Sequence, residues 1–225
     1  MNEPLTALRR ANPWIHRGLA LTLFMVMGGA LSQAAEMTPA VQKALLIAPL
    51  IPVAPAPEPA LQPVVVWDGA DVDGDGAADF INPTGGQPRG HDAFGNGEFG
   101  ASRDGGDRHH EGVDYVDTPG QDVVAPISGY VTKIGYAYDN SRDLKFVEIT
   151  NPAIGYTSRA FYVAPTVQEG QTVQLGEVIG KAESLQGRYA GITNHVHLEV
   201  MRQGRRIDCA SLISSHTEMR PLQQG

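Results

Sequence analysis

The sequence predicts an all-β fold behind a disordered N-terminal region. Three observations point there. Glycine (26) and proline (16) are abundant in 225 residues and fall between short apolar runs, as turns do between strands. The stretch Asn194-His195-Val196-His197-Leu198-Glu199-Val200 alternates polar and apolar without a break, the period of a strand. The C-terminal half has no segment of convincing length with a helical period.

In chain order, Arg9, Arg10 and Arg17 flank an apolar run from Gly18 to Leu31, and Ser32-Gln33-Ala34 fits the small-x-small rule of signal peptidase. Residues 1–34 read as a secretory signal peptide cleaved after Ala34, which predicts a periplasmic or secreted protein. The alternative is an uncleaved anchor, but the run is short for a bilayer-spanning helix, so no permanent membrane span is expected after cleavage. Arg9-Arg10 hints at a twin-arginine route, without much support from the residues that follow. The cleavage point has no cysteine, so no lipoprotein anchor is expected. Cleavage removes three arginines and Glu3, leaving 14 basic and 24 acidic residues and a net charge of −10. So acidic a chain predicts no nucleic-acid partner, because phosphate binding relies on clustered Lys and Arg.

Residues 35–63 are rich in Ala and Pro, and Ala54-Pro55-Ala56-Pro57-Glu58-Pro59 cannot hold a helix or a central strand, which predicts an extended linker. An Asp/Gly-rich extension follows at 64–98, with Val64–Trp67 as a first strand. Within it, Asp71, Asp73, Asp75 and Asp79 alternate around Gly74 and Gly76. That spacing suits a calcium loop, although Asn82 stands where an EF-hand has its bidentate Glu; the other reading is a solvated acidic turn. Residues 85–108 read as a long glycine-rich loop in which His91 is a surface residue. Strands are predicted at Val123–Pro126, Tyr130–Ile134, Leu144–Thr150, Ser158–Val163 and around Thr172-Val173. The domain is placed at 99–213 and a polar tail, holding an inert His216, at 214–225. Cys209, the single cysteine, excludes an internal disulfide and reads as a small buried apolar residue.

Two clusters carry the chemistry. On the predicted strand, Val196, Leu198 and Val200 face the core while His195, His197 and Glu199 share the other side. A lone H-x-H is common on solvent faces, but Glu199 is spaced to orient a histidine from behind. The second cluster is His109-His110-Glu111-Gly112-Val113-Asp114. His110 and Asp114 would be about 13 Å apart on an extended strand, too far to share an ion. A kink at Gly112 is therefore expected, with His110 on the incoming loop, Asp114 on a strand, and His109 pointing away. Two His and one Asp are a donor set that holds one zinc ion with a place left for water. With His195 as a fourth ligand the site would be closed; with His195 free, that ring could move a proton.

These residues resemble the lysostaphin-type (LytM-like) zinc endopeptidases. The H-x-G-x-D element is His110 to Asp114, and G-x-x-V-x-A-P-x-x-G-x-V is Gly120 to Val131. G-x-x-V-x-x-G-x-x-I-G is Gly170 to Gly180, and H-x-H-x-E is His195 to Glu199. The resemblance implies a compact antiparallel β-sandwich or barrel with zinc in a groove. It implies His110, Asp114 and His197 as ligands, His195 as the catalytic histidine, and peptides of bacterial cell-wall peptidoglycan as substrate. One element departs. Active members carry a second histidine in Y-x-H, whereas this chain has Phe161-Tyr162-Val163-Ala164-Pro165 and no histidine between His110 and His195. In that loss it is similar to the leukocyte cell-derived chemotaxins. Either Tyr162, Tyr189 or His109 supplies the missing hydrogen bond, or the chain is a weak or inactive zinc-binding regulator of the cell wall.

Overall fold

The structure, a computed structural model, describes residues 59–222. The signal peptide and nearly all of the linker lie outside the described residues. Sixteen strands are present among the described residues, paired antiparallel throughout. They are β1 (Leu61–Gly69), β2 (His91–Asp92), β3 (Gly95–Asn96), β4 (Ser102–Arg103), β5 (Arg108–His109), β6 (Val113–Val116), β7 (Asp122–Val124) and β8 (Gly129–Tyr136). Then come β9 (Lys145–Asn151), β10 (Tyr156–Phe161), β11 (Val163–Pro165), β12 (Thr172–Val173), β13 (Val178–Ala182), β14 (His195–Arg202), β15 (Arg205–Ile207) and β16 (Ile213–Pro221).

The main sheet runs β12-β8-β9-β10-β14, and the far edge of β14 is shared by β6 and β15. A second sheet, β11-β13-β7, contributes to the same core. Alternation drives the packing. Val196, Leu198 and Val200 of β14 are fully buried with Val147 and Ile149 of β9 and Ala160 of β10, and meet Val163, Ile179 and Val123 of the second sheet. The opposite face of the main sheet carries rows that follow from the register. Phe146, Phe161, His197 and Asp114 form one, and Glu148, Arg159 and Glu199 the next. Arg159 Nε donates to Glu148 Oε2 at 2.6 Å along the second row.

Several boundaries differ from the sequence reading. The Ser158–Val163 run is broken at Tyr162, whose φ of 67° is left-handed and turns its ring out of the ladder. Residues 85–108 are not one open loop: they form two short hairpins, β2-β3 and β4-β5. Residues 214–221 are not a free tail, because β16 pairs with β1 over nine residue pairs, from Leu61↔Pro221 to Gly69↔Ile213. The strand β13 was also absent from the sequence reading.

Candidate metal centre

The register places the first two donors. Asp114 of β6 lies directly opposite His197 of β14, and directly opposed residues present neighbouring side chains on one face. His195, two residues along β14, shares that face. The chain bends at Gly112, where a Cβ would come within 2.3 Å of the Leu198 carbonyl oxygen and 2.8 Å of His197 Cε1. Only glycine allows that approach, and it carries His110 back over the sheet. Asp114 Oδ1 then lies 3.1 Å from His110 Nε2 and 2.9 Å from His197 Nδ1, and those two nitrogens are 2.9 Å apart. These three atoms form a triangle a single ion can bridge.

Hydrogen bonds settle which ring nitrogen is available. His110 Nδ1 donates to the Glu98 carbonyl at 2.8 Å, since a carbonyl can only accept, so Nε2 keeps its lone pair toward the centre. His195 Nδ1 donates to the Thr193 carbonyl at 2.7 Å, leaving the Nε2 lone pair 3.5 Å from Asp114 Oδ1. Glu199 Oε1 stands 3.6 Å from His197 Nε2, an electrostatic contact rather than a hydrogen bond. Glu199 Oε2 is in turn within 3.1 Å of Arg206 Nε as an ion pair without hydrogen-bond alignment.

The electrostatics separate the two strand histidines. Burial lowers the pKa of His195 and keeps the ring neutral. Burial also opposes charge on His197, but Asp114 and Glu199 outweigh it and lift its pKa to about 9. Asp114 is likewise buried, yet hydrogen bonds from His110 and His197 hold its carboxyl well below the usual range. The positive charge that Asp114 and Glu199 draw onto His197 is what a divalent cation held by the same atoms would supply in place of the proton.

The groove encloses about 350 Å³. One wall is aromatic. The Tyr162 ring packs edge-on to His195, with centroids 5.5 Å apart, and the Phe161 ring does the same to His197 at 5.3 Å. Tyr189 Oη donates to Tyr138 Oη at 3.0 Å, and the Tyr138 and Tyr162 hydroxyls share a further hydrogen bond of 3.0 Å that either can donate. Burial pushes the Tyr162 pKa up to about 12, so its hydroxyl keeps its proton. Val163 is fully buried in the core.

The other wall comes from the extension, which no motif had marked. Arg89 is 3% exposed and donates from Nε and Nη2 to Asp114 Oδ2 at 3.2 and 2.8 Å. His109 is exposed, its Nδ1 3.2 Å from the Gly100 carbonyl, and it lines the groove mouth. Neither Arg89 nor Tyr138, which links the sequence candidates Tyr162 and Tyr189, carries a local signal, because their partners are far away in sequence.

The remaining candidates are not in the groove. Carboxylate oxygens of Asp71, Asp73 and Asp79 lie within 4.8 Å of one another, and Asp75 is not of that group. Asp71 accepts the Gly74 and Gly76 N–H groups and Asp79 accepts that of Val72, while Asp75 accepts that of Ala77. These bonds account for the loop as a self-capped acidic turn, and nothing beyond the spacing supports calcium there. His91 is an exposed strand residue. His216 pairs with Asp68 across the β1-β16 ribbon. Cys209 is fully buried and burial pushes its thiol up to about 12. No helix among the described residues is long and apolar enough to cross a membrane.

The fold and the site thus define a β protein with a two-His, one-Asp centre in a groove. Residues 108–209 match Peptidase family M23. The chain is 33% identical over 108 residues to mouse leukocyte cell-derived chemotaxin-2, an alignment covering 48% of this chain and 69% of that protein. The chain belongs to peptidase family M23, whose peptidases are zinc-dependent. Among solved structures it is similar to a zinc containing peptidase from Vibrio cholerae, at 24% identity and TM-score 0.42 over 58% of this chain and 39% of that one. It is also similar to the antimicrobial peptidase lysostaphin from Staphylococcus simulans, at 19% identity and TM-score 0.42 over 51% of this chain and 46% of that one. The chain therefore spans less than half the length of either solved protein.

Proposed function

We propose that the chain is a zinc endopeptidase acting on peptide bonds of bacterial cell-wall peptidoglycan, after export to the periplasm or beyond. The observation that carries this is the convergence of His110 Nε2, Asp114 Oδ1 and His197 Nδ1 on one point of a groove. Zinc bound there supplies a Lewis acid that activates water and polarises a scissile carbonyl. The chain's own residues do the rest. His195, neutral through burial and tethered at Nδ1, accepts a proton at Nε2 and returns it to the leaving amine. Tyr162 Oη, protonated on a ring packed against His195, stands in for the family's absent histidine as the donor to the developing oxyanion. The aromatic wall packs the peptide against the sheet.

A second reading rests on one observation: Val163 and Tyr162 occupy the stretch where active relatives carry a histidine, and no histidine lies between His110 and His195. On that reading the chain binds zinc and cell-wall peptides without turnover.

Two measurements separate them. The purified mature domain is expected to carry one zinc; fewer than about half of the molecules loaded after mild purification sinks the metal centre. Incubation with purified peptidoglycan is expected to release new amino termini. No release by zinc-loaded protein favours the binding reading. In an active protein, His195→Ala removes turnover and retains zinc; loss of zinc there would make His195 a ligand. Sequencing the amino terminus of the exported protein checks cleavage after Ala34.

A further inference from the structure

Arg89 lies in the glycine-rich extension, before residue 108 where the family match begins, yet it is among the most buried charged residues of the domain. Each of its three guanidinium nitrogens has a partner. Besides the two bonds to Asp114 Oδ2, Nη1 donates to the Gly95 carbonyl at 3.0 Å and pairs with Asp92 Oδ1 at 2.7 Å. The other oxygen, Asp92 Oδ2, accepts the Thr193 N–H at 3.2 Å. The Thr193 carbonyl is the group that tethers His195 Nδ1.

We propose that Arg89 and Asp92 form a positioning unit that holds Asp114 as a one-oxygen metal ligand and sets the orientation of His195. This rests on the zinc-centre reading above. The argument is one of geometry. A carboxylate can grip an ion with one oxygen or two, and a guanidinium fork on Oδ2 reserves Oδ1 for the metal. One-oxygen ligation keeps a coordination position open, which a hydrolytic centre requires. The backbone enforces the same placement. Arg89 N–H donates to the Asp114 carbonyl at 2.6 Å, and Asp114 N–H donates to the Gly97 carbonyl at 2.9 Å. Gly97 has no space for a side chain: a Cβ there would lie 2.7 Å from the Arg89 carbonyl oxygen and 2.9 Å from Asp114 Cβ. Residues 89–97 therefore clasp the ligand strand on both sides of the carboxylate. Through Asp92 and Thr193 the same clasp reaches the proton-handling ring, so one unit aligns ligand and base together.

The test uses the full mature chain with Arg89→Lys and Asp92→Asn. Lysine keeps the charge and loses the planar fork. Zinc affinity is read by competition with a chromophoric chelator, coordination by the visible absorption of the cobalt-substituted protein, and folding by thermal melting of the metal-free chain. Arg89→Lys is expected to weaken zinc about 10- to 100-fold, the usual cost of losing a partner behind a ligand, and to shift the cobalt bands as Asp114 becomes free to use both oxygens. A merely structural role would lower the melting point and leave the cobalt spectrum of the folded fraction unmoved, which overturns the proposal. So does zinc affinity within twofold of wild type. If Arg89→Lys fails to fold, Asp92→Asn decides. Its side chain is partly exposed and its shape is kept, so a several-fold loss of zinc affinity supports the unit and an unchanged affinity overturns it. Wild-type protein that takes up no zinc overturns the metal-centre reading itself, separately from the role of Arg89.

Discussion

Gly112 shows how much one residue contributes to the centre. Replacing it with alanine drives a methyl into the Leu198 carbonyl and His197, so the variant is expected to lose zinc and roughly 2–3 kcal/mol of stability, read by metal analysis and urea unfolding. Asp117 makes a different point. It is buried, neither carboxylate oxygen has a hydrogen-bond partner, and burial raises its pKa from 3.8 to about 7. The unfolded chain therefore gives up this proton first. Between about pH 4 and pH 7 the folded state holds the extra proton, so the stability contribution is full at low pH and is lost as pH rises. Asp117→Asn is expected to match wild type at pH 4 and to exceed it by ~3 kcal/mol at pH 8. An equal gap at both pH values would refute this. The contrast between residues also explains legibility. His110, Asp114, His195 and His197 were readable because two short motifs bring them together, one by the alternation of a strand and the other by a bend at its glycine. Arg89 was not, because its partner is 25 residues away and its neighbours are turn residues without a period.

Among the elements, β14 was legible for a plain reason: it is buried on one face and functional on the other, so its alternation is complete. β16 was invisible for the opposite reason. Its nine residues are mostly exposed, with buried Ile213 at the base, and a ribbon solvated on both faces leaves no hydrophobic period to read. Its partner β1 is some 150 residues earlier, a pairing no local pattern encodes. Isolated two-stranded ribbons are marginal in water. Ending the chain after Ile213 is accordingly expected to cost less than about 1 kcal/mol in urea unfolding and to leave zinc affinity within twofold. A larger loss would show that the ribbon braces the core. The break between β10 and β11 was equally unreadable, since Phe161-Tyr162-Val163 is a good strand sequence and only the structure reveals the left-handed turn at Tyr162.

For the whole molecule, the fold class followed from punctuation and period, while the boundary between domain and extension did not. The extension supplies a wall of the groove and the buried guanidinium on Asp114, so the working unit is larger than the stretch that bears the motifs. The centre also joins segments far apart in the chain, so metal bound there would stabilise the folded state. At a free zinc concentration a thousandfold above the dissociation constant, binding adds about 4 kcal/mol. Stripping the metal with a chelator is expected to lower the melting temperature by about 10 °C, reversibly on adding zinc back. A shift under about 2 °C would mean that the ion is bound weakly or elsewhere.

The facing of Asp114 and His197 across the ladder has one more consequence. A slip of β6 by a single residue would turn Asp114 to the far side of the sheet and leave His197 opposite a valine or a tyrosine. Such a misaligned chain also swings Val113 and Tyr115 out of the core, and it has no place for the ion. Zinc bound at this centre would thus act as an inspector of assembly: it would latch onto chains that have zipped correctly and draw misaligned ones back through the equilibrium they share.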